Sequence, residues 1–476
     1  MPCACANLLC AIPLPTARFY ANSDWRCKLE NTKKRKLNYP QTFLIGFGFL
    51  ASSLAWSIYN SQVPLLLSER FLMTNAMIGT IMTIDNFFGV IFQPLVGAWS
   101  DNTRTRLGRR MPWIAIGLPV CAILFALIPL QHVLWLFMAV VIGFNLIMSL
   151  WRSPVISLMP DVTARPLRSQ ANGIINLMGG LGSILAFLVG GMLSDVREDK
   201  FYAFLFATIV MLFALGVLLL FVREPDSILY KKQKQIPIRD HLANRWAQEA
   251  LLVRDETESI DTKPAEETKQ RSLTAFLGLP RAEQVSLIAL LFAIFSWFMG
   301  FNAIETFFTL FATNEYGITG GQATIMLTGF SLTFLAFALP AGLIGQRIGR
   351  KRTIRIGLVG IVVMFLPILM HPSQWLVQIL LLGGGFFWAC VNINSLPMVL
   401  EFASVKTIGS FTGYYYLFSF TAAIVSPILY GFLQDLAHSY SLLFVYAVIC
   451  FAIAFVCMLF VRHGDNLELA VTEGRK

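Results

Sequence analysis

Three ionisable side chains lie inside stretches that are otherwise almost wholly apolar: Asp85 in TIDNFF, Arg152 in SLWRSP and Glu305 in NAIETFF. A charge in an apolar span costs several kcal/mol unless it faces water or a partner, so such a group marks a pathway by default. A carboxylate desolvated in a cavity binds and releases a proton near neutral pH. Asp85 and Glu305 are therefore candidates for ion coupling, and Arg152 for organising a ligand or countering an acid. Asparagines recur at the same places, namely Asn60, Asn145, Asn302, Asn392 and Asn394. Their amides combine donors and acceptors in the mixed pattern that a hydroxyl-rich solute uses. Tyr59, Trp151, Trp388 and Tyr415 could add ring faces. The competing reading for the charges is a fixed polar network with no transport role, and for the aromatics it is packing or interfacial anchoring.

The elements that must position these groups follow from composition. The chain has 476 residues, 56% of them hydrophobic and 13% charged, with a mean hydropathy of +0.65. A soluble surface needs about a quarter charged residues, so this is an integral membrane protein in contact with a lipid bilayer. Crossing about 30 Å of hydrocarbon takes about 20 residues. Twelve such runs are predicted, near 41–67, 76–99, 112–131, 133–158, 170–193, 201–222, 283–311, 322–345, 354–370, 374–399, 407–433 and 440–461. Basic residues alternate between the two sides. Lys33, Lys34, Arg35 and Lys36 precede span 1, Arg104, Arg106, Arg109 and Arg110 follow span 2, and Arg347, Arg350, Lys351 and Arg352 follow span 8. The loops on the other side hold only Arg70, Arg197 and Lys200. The rule that cations collect in cytoplasmic loops predicts a multi-pass protein of the cell membrane with both termini cytoplasmic. The net charge of +10 is then mostly topology and leaves nothing for a nucleic-acid partner.

The chain repeats itself. The block from Asp161 to Asp195 aligns without a gap on that from Glu401 to Asp435: an acid opens both, Gly173 matches Gly413, Gly191 matches Gly431, and an acid closes both. Gly97, Asp101, Gly108, Arg109 and Arg110 correspond likewise to Gly342, Gln346, Gly349, Arg350 and Lys351. Two parallel six-span halves are expected, 41–222 and 283–461, between a cytoplasmic tail at 1–40, a charged linker at 223–282 with one surface helix around 240–253, and a tail at 462–476. Cys3, Cys5, Cys10 and Cys27 in the first tail lack the paired spacing of a zinc site, and that leader lacks the basic start of a signal peptide. No metal site or nucleophile constellation stands out, and the phosphate-binding Gly-x-x-x-x-Gly-Lys-Ser/Thr is absent. An ATP-driven pump or an enzyme is therefore not expected, and no cofactor is required.

Twelve spans in two parallel halves, with a glycine, an acid and a Gly-Arg-basic run after spans 2 and 8, resemble the major facilitator superfamily. Within it, QPLVGAWSDNTRTRLGRRMPWI is similar to the span 2/3 segment of the sucrose transporters and the related glycoside–pentoside–hexuronide cation symporters. Their Arg-x-Gly-Arg-Arg-x-Pro falls here on Arg106, Gly108, Arg109, Arg110 and Pro112. RSPVISLMPDVTARPLRSQANG after span 4 is similar to the same group, although that group carries an acid earlier in span 4 where this chain has Asn145. The resemblance implies an all-α fold in which spans 1, 4, 7 and 10 line a central cavity. It implies a sugar or glycoside as substrate, a proton or sodium ion as coupling partner, and alternating access. An exporter of amphipathic compounds would share the fold, and a non-transporting receptor would need a signalling domain that the linker is too short to supply.

The same resemblance gives the cationic loop a role beyond topology. Asp101 is expected to face the N-terminal end of span 11, near Lys406 to Thr412, as a cytoplasmic latch between the halves, with Arg109 and Arg110 holding Asp101 and Asp161, and Glu401 in the equivalent place of the second half. Asp85 and Arg152 are expected to act separately. At ~1.5 Å per residue they sit roughly 24 Å above Asp101 and roughly 13 Å above Asp161, which leaves them roughly 10 Å apart in depth.

Overall fold

A computed structural model describes residues 37–163, 167–222, 224, 276–403 and 407–463. The linker at 225–275, its proposed surface helix, the cysteine-bearing leader and the last residues lie outside the described residues. Among those described, twelve helices are long and apolar enough to cross a membrane. They are α1 (Tyr39–Phe71), α2 (Asn75–Asn102), α3 (Met111–Leu130), α4 (Leu134–Val162), α5 (Gln170–Ser194), α6 (Phe201–Phe221), α7 (Arg281–Tyr316), α8 (Gly320–Ile348), α9 (Arg350–Met370), α10 (Gln374–Leu400), α11 (Gly409–Ala437) and α12 (Leu442–Phe460). Each matches one predicted run. The chief difference is that α1 and α7, at 33 and 36 residues, continue beyond the apolar stretch, because a helix satisfies its own backbone and need not stop where hydrocarbon does.

The internal repeat is visible in the packing. In the first half α1 packs on α5 and α6, α2 on α4, and α3 on α4 and α6. In the second α7 packs on α11 and α12, α8 on α10, and α9 on α10 and α12. Small residues set the separations, as they do where helices pack without a hydrophobic driving force between them. A Cβ at Gly182 of α5 would collide with the Leu50 carbonyl of α1, and one at Gly385 of α10 with the Phe330 carbonyl of α8.

Two of the helices are interrupted. The α2 helix is broken at Thr83, between Asn75–Met82 and Ile84–Asn102. The α5 helix contains a π-helical stretch, Ala186–Gly190, of the kind that re-aims side chains beyond it. The α2/α3 and α8/α9 loops, which carry the arginines, lie at one end of the bundle, its basic end.

The halves meet through α1 and α7, α2 and α11, and α5 and α8. Along α2 it is the first segment, away from the basic end, that packs against α11. The cross-half bonds at this level are polar: Thr309 Oγ1 donates to the Ser61 carbonyl at 2.9 Å, and Gln62 Nε2 donates to Thr324 Oγ1 at 2.8 Å. They roof a cavity on its side away from the basic end.

Candidate functional site

That cavity, of about 260 Å³, is built from both halves. Its walls take one helical stripe from α1, Ser53, Trp56, Ser57 and Asn60, at the spacing that puts residues on a single face. A second stripe comes from α7, with Asn302, Glu305 and Thr306. The α2 helix brings Asp85 and Asn86 from just after its break, α4 brings Arg152, and α5 brings Ser183. Five residues singled out in the sequence thus share one space: Asn60, Asp85, Arg152, Asn302 and Glu305.

The geometry brings Asp85 and Arg152, which are expected to act separately, to one cavity. No direct ion pair joins them among the described residues, yet both line the cavity, and Asp85, Arg152 and Glu305 lie within electrostatic range of one another. Asp85 accepts from the Asn86 backbone N–H at 2.6 Å and from the Asn86 amide at 3.0 Å. Glu305 accepts from Asn60 Nδ2 at 3.2 Å, across the boundary between the halves. The Arg152 guanidinium lies over the Trp56 indole, 5.6 Å from the ring centroid, a cation–π arrangement that steadies it without neutralising it.

Four other expected cavity residues do not line this cavity. Asn145 is buried and donates to the Tyr59 hydroxyl at 3.0 Å. Asn394 is buried between α8 and α10, donating to the carbonyls of Ala341 at 3.1 Å and Cys390 at 3.0 Å. Trp388 is stacked on Phe301 with centroids 4.4 Å apart, and Asn392 is half-buried on α10 outside the lining. Of the aromatics, Trp151 and Tyr59 are fully buried, and Tyr415 is buried against Ser395 with the hydroxyls 3.1 Å apart. Sequence polarity marks the interior face of a bundle, but a buried amide serves helix packing as readily as a cavity. Trp56 escapes a reading of the sequence for the converse reason, since a single tryptophan carries no polarity signal. Its position four residues before Asn60 and three after Ser53 is the available clue.

At the basic end the arginines gather the acids of their own half. Arg109 Nε donates to Asp161 at 3.0 Å and Arg110 Nε to the same oxygen at 2.9 Å. Arg110 also bonds Asp101 and the Ser100 hydroxyl, and Arg109 Nη1 stands 3.7 Å from Asp101. In the second half Arg350 pairs with Glu401 and donates to the Pro397 carbonyl at 3.1 Å. The α11 segment expected to meet Asp101 lies partly outside the described residues. A further acid, Glu224 after α6, is fully buried and accepts the backbone N–H groups of Arg109, Arg110 and Met111 at 2.9–3.1 Å. Burial pushes its carboxyl above the usual carboxylate range while the three N–H groups pull the other way. Gly108, at φ +116, leaves room for it, because a Cβ there would collide with the Glu224 carboxylate. No sequence spacing links Glu224 to a loop 115 residues earlier.

A family model described as Major Facilitator Superfamily matches residues 45–319 and 290–475. The isoprimeverose transporter of Lactiplantibacillus pentosus is 23% identical over 227 residues, 44% of this chain and 47% of that protein, so the match spans about half its length. The class D tetracycline resistance protein of Salmonella ordonez is 24% identical over 75% of this chain and 79% of its own. The fosmidomycin resistance protein of Escherichia coli strain K12 is 23% identical over 92% and 95%. Among solved structures, the nucleoside transporter NupG superposes with a TM-score of 0.59 at 14% identity, covering 90% of this chain and all of that one. A bacterial homologue of the human lysosomal transporter Spinster does so with a TM-score of 0.62 at 11% identity, covering 90% and 97%. With twelve spans in two repeated halves around a polar cavity, the chain belongs to the Major Facilitator Superfamily and is a multi-pass integral membrane transporter of a small molecule.

Proposed function

We propose that the protein is a proton-coupled symporter of a sugar or glycoside, working by alternating access, with the basic end cytoplasmic and the closed end outside. The observation that carries the reading is the cavity itself: Asp85 and Glu305, one from each half, face Arg152 across a space whose remaining lining is mostly amides and hydroxyls, completed by Trp56, Met82, Ala423 and Pro427. A carboxylate in such a place exchanges a proton when its surroundings change. The amides of Asn60, Asn86 and Asn302 with the hydroxyls of Ser53, Ser57 and Thr306 supply the paired donors and acceptors that a polyol needs. The similarity to an isoprimeverose transporter supports the sugar class. Asp101, Arg109, Arg110, Asp161 and Glu401 then form the cytoplasmic latch, made when the outer mouth is open and released when it is closed.

A second reading, proton-coupled export of an amphipathic compound, is favoured by the greater extent of the matches to tetracycline and fosmidomycin resistance proteins. Against it, 260 Å³ lies below the usual range of about 300–1,000 Å³ for small-molecule sites, which suits a compact polar solute. Counterflow separates the two. Proteoliposomes preloaded with unlabelled sucrose, maltose, isoprimeverose or tetracycline are diluted into the labelled compound, and transient uptake is followed. Uptake of a labelled sugar is the expected result; uptake of tetracycline alone would establish the exporter instead.

A further inference from the structure

The acids that close the two copies of the repeated block, Asp195 and Asp435, take no part in the cavity or the latch, yet they have equivalent surroundings at the end opposite the arginines. Asp435, at the end of α11, accepts the backbone N–H of Asn75 at 2.8 Å and its side-chain amide at 2.9 Å with one oxygen, and the N–H of Ala76 at 2.8 Å with the other. Asp195, just past α5, accepts the N–H of Gly321 at 2.8 Å with one oxygen and the Thr319 hydroxyl at 2.5 Å with the other. Each carboxylate therefore sits on the first turn of a helix from the opposite half. There the unsatisfied N–H groups and the positive end of the helix dipole favour an anion. Thr74 and Thr319 are the N-caps of those two helices.

One turn before each aspartate is a glycine that lets the backbones touch. A Cβ at Gly431 would collide with the Asn75 carbonyl, and one at Gly191 would stand 2.8 Å from Ile325 and 3.0 Å from the Gly321 carbonyl. GMLSD at 191–195 and GFLQD at 431–435 are thus one motif used twice, with glycine and aspartate on a shared helix face. We propose that these two glycine–aspartate pairs are repeat-related clasps that keep the outer mouth shut, and that both must open for the protein to face outward. The proposal rests on the alternating-access reading above. It assigns the outer gate to charge-assisted hydrogen bonds on helix ends, which carry orientation as well as energy, rather than to apolar packing alone.

Spin labels at Trp135→Cys and Trp375→Cys, in a cysteine-free background in lipid nanodiscs, test it. Both positions are exposed, at 71% and 77%, and they begin α4 and α10 in opposite halves. The unaltered clasps should give mainly the short distance of a closed outer mouth. Asp195→Asn with Asp435→Asn should raise the ratio of long to short distances by at least about tenfold, since bonds to a charged group are each worth that much or more. Gly431→Ala should shift it the same way by steric means, and serves if the aspartate pair cannot be purified. Glu198→Gln, exposed beside Asp195, should leave it unchanged. An unshifted distribution in both clasp variants, while sugar or pH still moves the parent protein between two distances, overturns the clasps and leaves alternating access standing. A single distance in every protein under every condition overturns both.

Discussion

Arg152 rests on Trp56 with a carboxylate from each half within electrostatic range and no direct ion pair to either among the described residues. This leaves the guanidinium available to a ligand. Removing the platform by Trp56→Leu should weaken transport without abolishing it. A cation–π contact of about 0.5–2 kcal/mol corresponds to a rise in half-saturating sugar concentration of about twofold to thirtyfold, read from concentration-dependent uptake. Glu224→Gln acts on stability instead. It keeps the shape but weakens the bonds to three backbone N–H groups, and should cost about 1.5–3 kcal/mol, seen as a lower melting temperature of the purified protein. At this scale the sequence locates the charged members of the site, because a charge in an apolar run is unusual enough to be conspicuous. It does not separate Asn60 and Asn302, which line the cavity, from Asn145 and Asn394, which bind helix to helix. All four are amides on interior faces, and only the third dimension distinguishes a neighbouring helix from open space.

The helices themselves are legible, since apolar length is a direct consequence of hydrocarbon thickness and every predicted run has its helix. The breaks within them are not. Thr83 interrupts α2 and the π-helical turn at Ala186–Gly190 interrupts α5 without a proline at either place, so no local breaker announces them. Glycine placement gives a prediction at this scale. Gly182 lies against the Leu50 backbone, where α1 and α5 pack, so Gly182→Val should destabilise by at least about 1–3 kcal/mol through overpacking. Nothing surrounds Gly216 on α6 within 4 Å of a built Cβ, and Gly216→Ala should be neutral or slightly stabilising. Thermal melting of the two variants beside the parent protein checks both expectations. Equal melting temperatures for Gly182→Val and the parent would mean that α1 and α5 are not held at this distance.

For the whole molecule, the repeat explains why polar groups converge on one cavity. Two halves with equivalent packing set α1 against its equivalent α7, and make the α2–α11 and α5–α8 contacts repeat-related counterparts of each other. Under the proposed mechanism the interface they form closes at one end or the other. Orientation is inferred from loop charge and has its own test. Leu107→Cys in the basic loop should react with an impermeant maleimide only after cells are opened, while Val196→Cys, exposed at the other end, should react in intact cells. At the centre of the proposed mechanism, Asp85 couples a proton to sugar movement. Comparing the parent protein with Asp85→Asn in proteoliposomes tests this step, through uptake of labelled sugar under an inward proton gradient and counterflow with no gradient. Asp85→Asn should lose gradient-driven accumulation and keep counterflow. Accumulation at the parent level in Asp85→Asn would mean that the proton travels by another group, or that none is coupled.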